Sequence, residues 1–592
     1  MKIRYFVGLV LLGMVSCKTA QNMNKKSSVR ESTGFYQFVT DDPNAKPFYS
    51  DRQGVIAKKG MVASAHPDAS NVGSAILKAG GNAIDAAVAT HFALAVVHPS
   101  AGNLGGGGFL VYRDRQGQNF TLDFREKAPA AATRDMYLDS AGTVIPNMAW
   151  LGIDASGVPG SVDGLATMHQ RFGRLPWKQV VQPAIDLATS GVLLTKDEAT
   201  GLNRIKGDLL KFNPGKTYFL KPDSTEWQTG ERLIQADLAR TLRRIQEQGR
   251  DGFYKGETAS LLVREMAPAK APITQKDLDD YHSAWREAIV GSYRGHKVIS
   301  MPPTSSGGIA LVQLLKFVEP YPLGKWGWHS DSTTQVMIEA ERRVYADRAR
   351  WLGDPDFFKV PQKELVDEQY LRKRWTDFNF AQASDSKAIS GGPIAGYENN
   401  ETTHYSVVDE EGNAVAITTT INNGYGSRVM VGGAGFLMND EMEDFAVKPG
   451  VPNVFGLIGR EANAVQPGKR MLSSMTPAIL EKDGKLFMVV GTPGGSTIIT
   501  SVFQTILNVT DHGMTMQQSV NALKFHHQWL PDKTVFEQGA FSEKTLQKLI
   551  DRGYVMEMQK NTLGRMDCIL VRPDGTLEGA SDPRGDNTSV GF

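Results

Sequence analysis

A threonine hydroxyl is too weakly acidic to attack a carbonyl unaided, but it becomes a nucleophile when the free α-amine of its own residue takes the proton. Such an amine titrates near pH ~8, so a useful fraction is basic at neutrality. The stretch Glu401-Thr402-Thr403-His404-Tyr405-Ser406-Val407-Val408-Asp409 holds a threonine where that chemistry could arise. Thr403 to Asp409 reads as a half-buried strand, Glu410-Glu411-Gly412-Asn413 as a turn and Ala414 to Thr420 as the returning strand. Thr402 then stands at the mouth of a hairpin, preceded by a polar, Gly/Ser-containing run from Ser384 to Glu401. Its amine is free only if the chain is cut after Glu401. Left uncut, Thr402 simply begins an edge strand.

The surrounding sequence favours the cut. TTHYSVVD followed by GNAVAITTTIN closely resembles the start of the small subunit of the γ-glutamyltranspeptidases, N-terminal-nucleophile enzymes that cleave themselves before this threonine. The resemblance runs from about Gly54 to Phe592. It implies an α+β fold, a four-layer αββα sandwich, in which residues 50–401 and 402–592 form a large and a small subunit that stay together as a heterodimer. The implied reaction forms a γ-glutamyl ester on Thr402 and passes it to water or to an amino acid or peptide. Donors would be glutathione and other γ-glutamyl compounds, and neither a cofactor nor a metal is expected.

Other motifs carry the same resemblance and assign roles by it. DFREKAPAAA places Arg125 against the substrate's α-carboxylate, a task for which the planar guanidinium fork is suited. In Asn439-Asp440-Glu441-Met442-Glu443-Asp444-Phe445, a run that otherwise reads as a water-facing acidic turn, Glu441 and Asp444 would face the α-ammonium. Thr420 would support the nucleophile through its hydroxyl, and Asn422 would contact the amino-acid head. Ser473 and Ser474 of Arg470-Met471-Leu472-Ser473-Ser474-Met475 would hold the carboxylate beside Arg125. Gly491-Thr492-Pro493-Gly494-Gly495-Ser496 leads from a strand into a helix; the amides of Gly494 and Gly495 match the family's oxyanion hole, although a plain glycine turn would read the same. Lys448 to Gly456 resembles a lid loop, and Phe455 stands where many members have tyrosine, which predicts a gate lacking one hydrogen bond. EAERRVYADRARWLGDPDF is also family-like, and its charges read as structural salt bridges.

These parts need a scaffold larger than one ordinary core, since 592 residues exceed the ~300 that a single core usually serves. Helical spacing marks Asp68 to Ala79, Asn82 to Val97, Gln235 to Glu247, Gln275 to Tyr281 and Thr333 to Arg350. Strands are expected at Phe109 to Arg113, Asn119 to Asp123, Pro477 to Glu481 and Leu486 to Val490, with Val407, Ala414, Ala416, Ile417, Met488 and Val489 in the core. The glycines of Gly102 to Gly108 run into a strand where a dinucleotide fingerprint needs a helix, so they predict close backbone packing instead. Neither Ser161 nor Ser306 sits in a serine-hydrolase elbow. His526 and His527 are adjacent and lack a third spaced ligand. A formal charge of +1 gives no nucleic-acid footprint.

Lys2 and Arg4 precede an apolar run from Tyr5 to Val15, too short to span a bilayer, and Met14-Val15-Ser16-Cys17 resembles a bacterial lipoprotein cleavage site. Residues 1–17 are therefore expected to be a signal peptide, Cys17 the lipidated residue and 18–49 a tether, holding the enzyme in the periplasm or cell envelope by its lipid alone. Secretion with cleavage nearby is the alternative. With Cys17 modified, Cys568 has no partner in the chain. Two rival functions remain open: a cephalosporin- or glutaryl-type acylase or poly-γ-glutamate-processing enzyme of the same fold, and a surface lipoprotein that binds γ-glutamyl peptides without chemistry.

Overall fold

The computed structural model describes residues 50–592 except 216, 390–401, 452, 454, 455 and 561. The expected signal peptide and tether, Cys17, Glu401 and Phe455 lie outside the described residues.

Two seven-stranded sheets form the centre. The first contains, edge to edge, Thr588–Gly591, Met61–Ser64, Thr403–Val408, Ala414–Thr420, Gly107–Arg113, Asn119–Asp123 and Ala284–Arg286. The second contains Val55–Ala57, Leu577–Ser581, Asp567–Val571, Lys485–Val490, Ala478–Lys482, His296–Ser300 and Ile289–Tyr293. Because successive side chains of a strand point to opposite faces, the hairpin at Thr403 sorts its own residues into two layers. Leu110, Tyr112, Val407, Val415 and Ile417 join the helix Ala83–Val97 in one apolar cluster. Phe109, Val111, Ala414 and Ala416 point the other way, into a cluster with Ile479, Met488 and Val489 of the second sheet. That sheet is covered in turn by the helices Gly307–Val318 and Thr497–Thr510. Helix, sheet, sheet, helix is the αββα order. All six expected core residues are buried, but they belong to two cores rather than one.

Local chemistry fixes the ends of these elements. The strand from Thr403 stops at Val408, one residue before the expected end, because the Asp409 carboxylate closes the turn instead. It accepts the amides of Glu411 (3.0 Å) and Asn413 (2.9 Å), and also that of Ala83 (2.9 Å). One side chain thus ties the hairpin to the start of the buried helix, which Asn82 and Asp85 cap reciprocally. The glycine run does pack closely: a Cβ on Gly106 would lie 2.0 Å from the carbonyl oxygen of Thr420.

Between the sheets lies a polar string that begins two residues after Thr402. The His404 Nδ1 is 2.8 Å from Thr418 Oγ1 and its Nε2 3.1 Å from Ser406 Oγ, and Ser406 donates to the Asp567 carbonyl at 2.9 Å. Burial lowers the His404 pKa to about 3, so the ring is neutral and is engaged with the scaffold. Ser406, at the end of the string, ties the strand to the opposite sheet.

Candidate active site

Pairing of Thr403 with Thr419 sets Thr402 across from Thr420, the last residue of the returning strand. Their hydroxyls are 3.5 Å apart, and Thr420 Oγ1 accepts the Asn422 amide at 2.7 Å. Asn422 has φ 71°, a left-handed conformation that asparagine tolerates better than most residues. Its side-chain amide donates to the Asp440 carbonyl (3.1 Å), which fastens the end of the hairpin to the acidic turn. That turn is a short 3-10 helix, Glu441–Asp444, and it faces inward. Glu441 is fully buried.

The reason for this burial is Arg125, itself fully buried at the end of the strand Asn119–Asp123. Its guanidinium lies 2.6 Å from Glu441 and donates to Asp444; Glu126 is 3.5 Å away. Groups expected at opposite ends of an amino acid are therefore in contact with one another. An α-amino acid lying between them would exchange that pairing for two new ones. Burial raises the pKa of all three acids, Glu126 to about 8 and Glu441 well above its ordinary value, while Arg125 pulls the other way.

Ser473 and Ser474 complete the wall. The Ser473 hydroxyl accepts the Met475 amide (3.1 Å), and its carbonyl accepts the amide (2.8 Å) and hydroxyl (2.7 Å) of Ser306. The Pro302 to Gly308 turn thus buttresses the serine pair. Ser474 Oγ accepts from Arg348 at 3.0 Å, which leaves its own proton to be donated elsewhere. Arg348, which is buried, has two hydroxyls as partners where the sequence reading expects a structural salt bridge. Its neighbours fit that description: Arg343 lies 2.6 Å from Glu339, and Arg342 pairs with Asp532. No local signal in the helix Asp331–Trp351 sets Arg348 apart.

Gly494 and Gly495 have φ of 141° and 55°, conformations that favour glycine, and they directly precede the helix Thr497–Thr510. The Gly494 carbonyl is turned back to accept the Thr497 amide (3.0 Å) and hydroxyl (2.7 Å). Gly495, Arg348 and the serine pair line one cavity together with Thr402, Thr420, Asn422, Arg125, Glu441 and Asp444. On the other side, Thr402 and Gly494 border a second, larger cleft with Tyr425, Arg565 and Asp586. The two glycines therefore flank the nucleophile candidate. A Cβ on Gly494 would lie 2.6 Å from Thr497 Oγ1, so Gly494→Ala must shift the loop. If the two amides form the oxyanion hole that the resemblance implies, the substitution is expected to lower kcat ~10²-fold with little change in KM, as steady-state kinetics would show.

His526 and His527 serve the scaffold. His526 is 2.8 Å from Thr500 Oγ1 and 2.9 Å from Gln528, and His527 accepts the Trp529 amide at 3.1 Å and lies 3.3 Å from Asp532.

The family model described as gamma-glutamyltranspeptidase matches residues 69–592. The "Glutathione hydrolase proenzyme" of Escherichia coli (strain K12) is 46% identical over 539 residues, 91% of this chain and 93% of that protein. Among solved structures, a cephalosporin acylase from Bacillus halodurans superposes with a TM-score of 0.79 at 26% identity, covering 94% of this chain and 99% of its own. The gamma-glutamyltranspeptidase of Helicobacter pylori superposes with a TM-score of 0.55 at 41% identity, covering 58% of this chain and 97% of its own.

Proposed function

The chain belongs to the γ-glutamyltranspeptidase family, and from that membership we propose a self-cleaving γ-glutamyltransferase and glutathione hydrolase whose nucleophile is Thr402. The observation that carries the reading is the position of the Thr402 hydroxyl in one cavity with a fully buried arginine and two carboxylates, a site that can read both charges of an α-amino acid.

Maturation begins when Thr402 Oγ attacks the Glu401 carbonyl carbon. The peptide C–N bond breaks, an ester forms, and water hydrolyses it to give a Glu401 carboxylate and a free Thr402 amine. Residues 50–401 and 402–592 are then two chains of one enzyme. In turnover the Thr402 amine takes the hydroxyl proton as Oγ adds to the γ-carbonyl of the donor. Arg125, Ser473 and Ser474 hold the α-carboxylate, Glu441, Asp444 and Asn422 the ammonium end, and the amides of Gly494 and Gly495 the developing oxyanion. Collapse expels the amine, which takes its proton from the Thr402 ammonium and departs through the larger cleft. Water then gives glutamate, and an amino acid or peptide gives a new γ-glutamyl amide. Thr420, whose own oxygen is fixed by the Asn422 amide, orients the nucleophile.

Comparison of glutathione with a glutaryl amide tests the substrate class. We expect kcat/KM at least ~10²-fold higher for glutathione, because the glutaryl group leaves the buried carboxylates without their cation. A faster glutaryl amide selects the acylase reading, which the superposition on the cephalosporin acylase keeps in view. A chain that stays in one piece selects the binding lipoprotein. The lipid anchor at Cys17 and a place in the cell envelope rest on the sequence Met14-Val15-Ser16-Cys17. Intact mass of the purified protein tests the anchor and the new N-terminus together.

A further inference from the structure

We propose that Arg348 is the second guanidinium of the carboxylate reader, binding the substrate's α-carboxylate from the side opposite Arg125. The inference rests on the γ-glutamyl reading above. Arg348 projects from the long helix Asp331–Trp351 into the cavity that holds Thr402, and its side chain is buried. Its only hydrogen bonds among the described residues go to two hydroxyls, Ser306 Oγ from Nε and Ser474 Oγ from Nη2, each at 3.0 Å. Asp444 acts on it through space but forms no ion pair with it. Burial lowers its pKa, as it must for a cation placed away from water without an anion in contact. Cations so buried are costly unless something pairs with them.

Arg125 differs in this respect, because it already contacts two carboxylates. Of the two guanidiniums on the cavity, Arg348 is the one with charge left over. A γ-glutamyl head would give each side a new partner: its carboxylate for Arg348, and its ammonium for Glu441 and Asp444, the acids that now touch Arg125. Ser474, which accepts from Arg348, then donates its own proton to the same carboxylate.

The test compares γ-glutamyl-p-nitroanilide with 4-aminobutyryl-p-nitroanilide, which lacks only the α-carboxylate. For Arg348→Met we expect kcat/KM to fall ~10²-fold on the first and little on the second, so that the preference collapses, and Arg348→Lys to restore part of it. An equal fall on both substrates would mean that Arg348 supports the site as a whole and does not read the carboxylate, and the proposal would be overturned. Should the unvaried protein show no preference for the γ-glutamyl compound, the functional reading itself fails, and independently of Arg348. A variant that folds without cleaving itself is read by thermal melting. Unvaried protein is expected to be stabilised more by L-glutamate than by 4-aminobutyrate; that difference should vanish in the variant, and its persistence overturns the proposal.

Discussion

Thr402→Ala is expected to leave the chain in one piece and to reduce turnover of a γ-glutamyl substrate by at least ~10³-fold, the scale at which losing a nucleophile is felt. In the proposed mechanism one residue supplies both the attacking oxygen and, after cleavage, the base that activates it, so the substitution removes maturation and catalysis together. No neighbour is placed to replace it. His404, the nearest imidazole in sequence, is neutral and directs its nitrogens at Thr418 and Ser406. Cys568 is a buried thiol whose pKa burial raises far above its ordinary value. Ser473, Ser474 and Thr420 share the cavity with Thr402, but none has a free α-amine of its own even after the cut. Thr402→Ser keeps both functional groups and should retain cleavage and turnover, though more slowly. Denaturing electrophoresis reads the first effect and p-nitroaniline release the second. Full turnover by an uncleaved alanine variant would place the chemistry on another group.

Much of this was legible in the sequence, for a physical reason. Strand alternation over Thr403 to Thr420 is a local property, and the short turn at 409–413 fixes the register, so the approach of Thr402 to Thr420 follows from the hairpin alone. The helix Ala83–Val97 is apolar on most sides, which is enough to predict its burial. What local pattern could not supply is contact between distant segments. Arg125 and Asp444 are 319 residues apart, and only resemblance to a family brought them together before the structure did. Taken alone, the acidic turn reads as a solvated loop; it is buried because a guanidinium from another strand reaches it. Arg348 shows the same limit from the other side. A charged residue on a long helix looks alike whether a carboxylate or a pair of serine hydroxyls meets it, and the difference is written in the Pro302 to Gly308 turn and in Ser474, far along the chain. The two cores escaped notice because listing apolar residues ignores which face of the strand each occupies.

Arg125→Met should be the most damaging change outside the nucleophile, and its effect should depend on pH in a fixed direction. Without the guanidinium, Glu126, Glu441 and Asp444 remain buried close together, and the attraction that held their pKa values down is gone. Arg348 faces the same cavity, but two hydroxyls hold it and it makes no ion pair with Asp444. The three acids of the folded variant will therefore keep their protons to higher pH than in the parent, whereas the unfolded chain releases them near pH ~4. Above that pH the unfolded state binds fewer protons than the native state, so stability declines as pH rises until the folded-state values are passed. The apparent Tm of Arg125→Met should fall further below that of the parent at pH 8 than at pH 5. Turnover should drop ~10³-fold or more, since the substrate carboxylate loses its fork and the acids, now protonated, attract its ammonium less. Arg125→Lys supplies a charge that cannot fork to Asp444 and Glu441 at once, and so should recover more of the stability than of the activity. A Tm gap that stays level between pH 5 and 8, or full activity in the lysine variant, would show that Arg125 neither balances these carboxylates nor reads the substrate through its geometry.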